Sequence, residues 1–194
     1  PVKVIALFNM AVNFLTRLCN TTAVLCTATQ PLFSDIAKNR MLRGTNLVEN
    51  MESLEPVFRR VAYHDCLSDC GDGLSAEQAA AFVQAQAKQF TQILMIVNTK
   101  SCAKAIYETL AQQGESGLYH LSTWMCARHR SDRLQEIREK LQDGERVICI
   151  STQLVEAGVD FSFQCVIRSL AGLDSLIQAA GRCNRNGVLE TGHV

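Results

Sequence analysis

Arg182 and Arg185 stand three residues apart in the segment Gln178-Ala-Ala-Gly181-Arg182-Cys-Asn-Arg185. A guanidinium is always charged, and its fork can hold two phosphate oxygens at once. No acidic residue within the segment neutralises the pair, so it reads as a phosphate-binding element rather than a solvated basic face. The spacing predicts a helix from Ser175 to Cys183 with Gln178, Arg182 and Arg185 on one side. Gly181 inside that helix costs on the order of a kcal/mol relative to alanine. It makes sense where another backbone or a ligand comes close. A second segment, Ser151-Thr-Gln-Leu-Val-Glu-Ala-Gly158-Val-Asp160, reads as a strand end, a short helical turn and a tight reversal at Gly158. Asp160 then points back toward the strand edge, where a carboxylate can order a ribose hydroxyl, a water or the neighbouring arginines. Its bland counterpart is a turn with an Asx cap.

Hydroxyl and amide residues follow four apolar runs: Thr27-Ala28-Thr29 after Cys26, Asn98-Thr99-Lys100-Ser101 after Val97, Ser122-Thr123 after Leu121, and Ser151-Thr152-Gln153 after Ile150. One such cluster is ordinary helix capping. Four on one sheet edge suit a surface that tracks phosphates without reading bases. The most basic stretch runs from His120 to Arg133 and carries Arg128 and Arg130. Trp124 within it can pack under the loop or stack on a base; packing is the expectation.

Elements must place these residues together. Thr22–Cys26, Ile93–Val97, Leu118–Leu121, Val147–Ile150 and Cys165–Ile167 read as strands, most of them apolar throughout. Helices are expected over residues 5–18 with one face buried, from Ser75 to about Phe90 behind a capping box, from Ser101 through Leu110, and from Ser131 to Leu141. Val57 to Tyr63 reads as an edge strand. Strands alternating with helices predict an α/β fold, a doubly wound parallel sheet with helices on both faces. Ligands bind such a sheet at the carboxyl ends of its strands.

The chain's 19 basic and 19 acidic residues cancel. That excludes a globally basic nucleic-acid binder and leaves local patches. With 47% apolar and 20% charged residues, a disordered chain is excluded as well. Cys26, Cys149 and Cys165 sit in apolar runs and read as small buried hydrophobes of a reducing compartment. His64, Cys66 and Cys70 lack the paired spacing of a zinc centre, so no metal site is assigned. No apolar run is long enough to span a bilayer and no signal peptide is visible, which points to the cytoplasm without a membrane partner. A start without methionine reads as a piece of a longer chain.

In this order, the segments resemble the motifs of superfamily 2 helicases. More narrowly, Asn9-Met-Ala-Val-Asn13-Phe-Leu, Leu25-Cys-Thr-Ala-Thr-Gln-Pro31, His120-Leu-Ser-Thr, Ser151–Asp160 and Gln178–Gly187 resemble the CRISPR-associated helicase-nuclease of type I systems. The resemblance implies a RecA-like fold, with the tail of a first lobe over 1–33, a connector over 34–56 and a second lobe over 57–194. It implies that Arg182, Arg185 and Gln178 serve catalysis, and that Gly158 and Asp160 join the arginines in binding ATP. Thr27, Ala28 and Thr29 couple hydrolysis to movement. Asn98, Thr99, Ser122, Thr123, Arg128, Arg130 and Thr152 hold DNA. The implied partners are single-stranded DNA and a guide-RNA surveillance complex, and the first-lobe tail implies self-association of an isolated fragment.

No Gly-x-x-x-x-Gly-Lys-Ser/Thr loop, no Asp-Glu-x-His run and no HD nuclease pair occurs in the sequence. The resemblance therefore implies that the ligands of magnesium, and an HD nuclease domain with its metal ions, belong to other parts of the parent protein. This chain alone is then expected to lack ATPase and nuclease activity. Two further readings use the same residues: a non-catalytic module that docks a partner, and an RNA-helicase lobe of the same superfamily.

Overall fold

Apolar residues at helical spacing form α1 (Val2–Leu18) in the computed structural model, which describes residues 2–26, 44–70, 73–156 and 158–194. The chain divides into two compact units, Pro1–Phe58 and Arg59–Val194. In the first, the apolar face of α1 is not buried as expected: Leu7, Met10, Phe14, Leu15 and Leu18 are exposed. An amphipathic helix buries its stripe only against a partner surface, and the described residues of this unit supply none. Nor do Thr22–Cys26 form the expected strand, and Val24, Leu25 and Cys26 are exposed. A strand needs a neighbour for its N–H and C=O groups, and no described residue pairs with this segment. Thr27, Ala28 and Thr29 lie outside the described residues. The end of the stretch read as a connector is helical, α2 (Met51–Phe58).

The second unit runs β1 (Val61–Ala62), α3 (Leu67–Cys70), α4 (Ala76–Gln86), β2 (Gln92–Ile96), α5 (Lys100–Gln112), β3 (Leu118–Leu121), α6 (Ala127–Gln142), β4 (Val147–Ser151), a 3-10 turn (Gln153–Val155), β5 (Cys165–Arg168), α7 (Leu173–Ala180) and β6 (Gly192–His193). The expected edge strand Val57–Tyr63 shrinks to β1. The sheet is parallel throughout, in the order β1-β6-β5-β2-β4-β3.

Alternation along β2 and β4 divides the core. Leu94 and Ile96, with Val147 and Cys149, face a cluster that includes Ile137 of α6 and Ala179 of α7. Met95 with Ile148 and Ile150 faces Ala80 and Val83 of α4 and Ile106 and Leu110 of α5. Helices therefore cover both faces, and the α/β RecA-like architecture stands. The capping box opens α4: Gln78 N–H donates to Ser75 Oγ at 3.2 Å, and Ser75 N–H donates to Gln78 Oε1 at 2.8 Å. That helix stops at Gln86 rather than Phe90, while α6 begins at Ala127 rather than Ser131.

Candidate functional site

Because β5, β2, β4 and β3 are parallel neighbours, the residues that follow them share one edge. Several of the hydroxyls and amides expected to face a ligand there also serve the fold. Thr99 Oγ1 accepts the Cys102 N–H at 3.2 Å and caps α5. Ser122 is buried, and its Oγ accepts the Trp124 N–H at 3.4 Å. Thr152 is buried. The Asn98 amide donates to the Leu170 carbonyl at 2.9 Å. Thr123 and Arg128 are exposed and Arg130 is half-buried, so the outward part of this edge is carried by few side chains.

The turn after β4 forms as expected. Gly158 takes φ +73°, a left-handed conformation that favours glycine. The helix that was to carry both arginines does not reach them. α7 ends at Ala180 and Gly181 caps it with φ −62°. A Cβ on Gly181 would meet, nearest, the Gln178 carbonyl of its own helix at 3.3 Å, so no other backbone explains this glycine. Beyond it the chain turns to bridge the segment before β5. Phe163 N–H donates to the Arg182 carbonyl and Asn184 N–H to the Phe163 carbonyl, both at 2.8 Å. This pairing, rather than a helix, fixes where the arginines go. Gln178, half-buried on α7, shares no helical face with them.

The two arginines consequently differ. Arg182 is 8% exposed. Its Nε donates to the Val155 carbonyl at 2.9 Å and its Nη2 to the Glu156 carbonyl at 2.7 Å. It thus clamps the turn after β4. Burial holds its guanidinium below the ordinary value, the charge of Arg185 adds to that, and the Asp160 carboxylate opposes both. Arg185 is exposed, and its Nε meets Asp160 Oδ1 at 2.8 Å. An acid outside the segment therefore partners it. Exposed pairs of this kind contribute about 0–1 kcal/mol, so a phosphate can displace the carboxylate.

Arg168 and Glu156 went unnoticed in the sequence. Arg168 Nε donates to Glu156 Oε1 at 2.9 Å, and Arg168 Nη1 donates to Asn98 Oδ1 at 2.7 Å. These contacts link the ends of β2 and β5 to the turn that Arg182 clamps. The available signal was a charged residue closing an apolar strand, at the position where ligands gather.

Trp124 does not pack under its loop. The residue is 61% exposed, while Met125 packs against the core. Cys149, Cys165 and Cys183 are buried, and burial raises all three thiols, Cys165 to about 11 and Cys183 to about 12. His64 Nε2 lies 3.0 Å from His193 Nδ1, and no three His, Cys, Asp or Glu side chains gather as a metal site among the described residues. A cavity of about 100 Å³ is lined by Asp160, Phe161, Ser162, Asn186 and Arg138. That is below the ~300 Å³ at which small-molecule pockets begin. A larger one, about 410 Å³, lies at the amino ends of β2, β3 and β4 beside Lys88, Glu115 and Arg146, and shares no lining residue with the first. Neither cavity has Arg182 or Arg185 among its lining residues.

A parallel sheet with helices on both faces, a glycine-reversed turn after β4 and an arginine segment clamped onto it define a RecA-like helicase lobe. Residues 89–188, just over half of the chain, match the family described as CRISPR-associated nuclease/helicase Cas3, C-terminal. The chain belongs to that family. It is 33% identical over 94 residues to the CRISPR-associated nuclease/helicase Cas3 of Methanothermobacter thermautotrophicus, covering 48% of this chain and 11% of that protein. It is 54% identical over 54 residues to that of Haloferax volcanii, covering 27% and 6%. The matches thus span a small part of these relatives' own length. The crystal structure of T. fusca Cas3-AMPPNP is similar at TM-score 0.52 and 26% identity, over 60% of this chain and 14% of that one. S. cerevisiae Dbp5 bound to RNA and ADP BeF3 shares the fold alone, at TM-score 0.52 and 18% identity, over 70% and 34%.

Proposed function

We propose that this chain is the second motor lobe of a CRISPR DNA helicase-nuclease, supplying one side of a composite ATP site and part of a single-stranded DNA track. The observation that carries the reading is the division of labour between the arginines. Arg182 fixes the turn carrying Gly158 and leads Arg185 out to the surface, where its guanidinium meets the exposed Asp160 and its carbonyl accepts from Arg60. An exposed, weakly paired guanidinium fits a phosphate delivered by another lobe.

ATP bound in the parent protein supplies the phosphoryl group that is hydrolysed, and Arg185 stabilises its developing charge. Gln178, Gly158, Asp160 and Arg182 shape that side of the site. We assign no magnesium ligand to the described residues; those ligands, and the metal ions of an HD nuclease, belong to other domains. Thr27, Ala28 and Thr29 couple hydrolysis to strand movement. Asn98, Thr99, Thr123, Arg128 and Arg130 line the DNA track, with Ser122 and Thr152 buried behind it. A guide-RNA surveillance complex delivers the strand, in the cytoplasm where the target DNA is met. Alone, the lobe is expected to hydrolyse no ATP and cut no DNA.

The test is ATP-dependent strand displacement by the full-length protein on matched DNA and RNA duplexes with single-stranded overhangs. Displacement of DNA is expected. Displacement of RNA alone would move the lobe to the RNA helicases of its superfamily.

A further inference from the structure

Trp124 is the only tryptophan in the chain, and it is 61% exposed. It sits in the turn that follows β3, where the Met125 N–H donates to the Ser122 carbonyl at 3.2 Å and the Trp124 N–H to Ser122 Oγ at 3.4 Å. This turn sends Met125 into the core and Trp124 into solvent. Lys100, the first residue of α5, comes from the end of β2, and its Nζ lies 5.6 Å from the indole centroid. Arg128 is exposed in the first turn of α6. From Ser122 to Arg130 there is no acidic residue.

A flat, solvated aromatic face bordered by cations is what a single-stranded nucleic acid needs: a surface for one base and charges for its phosphates. A duplex keeps its base faces stacked and offers none. We infer that Trp124 stacks on an unpaired base of a single strand lying along this edge, with Lys100 and Arg128 facing the flanking phosphates. This rests on reading the edge as a single-stranded DNA track. It adds a base contact, indifferent to base identity, to a surface otherwise suited to the backbone.

Because Trp124 is the sole indole, its fluorescence reports this contact alone. The 194-residue chain is titrated with oligo(dT) and with an abasic oligonucleotide of equal length, and binding is followed in parallel by anisotropy of a label on each oligonucleotide. Oligo(dT) is expected to quench the indole and the abasic strand to bind more weakly without quenching. Trp124→Ala is expected to weaken oligo(dT) binding about tenfold and Trp124→Phe much less, with neither changing affinity for the abasic strand. Binding of both strands without quenching, or a Trp124→Ala variant that binds oligo(dT) like the unaltered chain, would overturn the stacking contact and leave the track standing. Binding of neither strand would overturn both.

Discussion

Arg168 and Glu156 meet at 2.9 Å with side chains only 2% and 7% exposed. One end of this ion pair reaches Asn98, and the other carries the peptide carbonyl that Arg182 holds. A buried charge without its partner is costly, so the pair must be kept or lost as a unit. Arg168→Ala is expected to destabilise the lobe by about 3–5 kcal/mol, and Arg168→Met with Glu156→Leu to recover much of that. Denaturant unfolding of the three proteins checks it. A single variant as stable as the unaltered chain would show that the pair does not brace this edge.

The pH dependence of stability should carry the mark of His120. Its Nε2 is buried without a hydrogen-bond partner among the described residues, and its ring lies 5.5 Å from that of Tyr107. Burial holds its pKa below the ordinary value of 6.5; Glu108 pulls upward and Lys104 downward. The folded lobe thus favours the neutral ring, and below about pH 6.5 the unfolded chain binds the proton more readily. Stability is complete above that pH and falls as the pH drops through it. The denaturation midpoint should decline between about pH 7.5 and about pH 5.5, and His120→Phe should flatten that decline. An unchanged slope would assign it to other groups.

Strand β4 and the opening of α4 were legible because each depends on neighbours in sequence. Its apolar residues announce a strand covered on both faces, and Ser75 and Gln78 close their own capping box. The turn at Gly158 was legible for the same reason. What escaped depends on residues far apart. Helical spacing runs on from Gln178 to Arg185 in the sequence, but pairing with Phe163 takes the chain out of the helix after Gly181. Arg168 finds Glu156 and Asn98 only once three strand ends lie side by side. Trp124 was expected inside because large aromatics usually are, yet Met125 takes the inward place. Thr22–Cys26 has a strand's composition and no described strand beside it.

The exposed stripe of α1 has a consequence in solution. Leu7, Met10, Phe14, Leu15 and Leu18 present contiguous apolar surface at helical spacing, and such a patch favours association. The chain should self-associate as its concentration rises, and Leu7→Glu with Phe14→Glu should abolish this. Light scattering across a concentration series measures both. A monomer at every concentration would contradict the prediction.

The central claim is that Arg185 completes an ATP site whose other side lies in another lobe. Its most direct test is DNA-stimulated ATP hydrolysis by the full-length protein carrying Arg185→Ala. Turnover should fall by about a thousandfold or more, while the thermal midpoint of unfolding stays close to that of the unaltered protein, since Arg185 is exposed and weakly paired. Unchanged turnover with the DNA-binding affinity intact would contradict the account.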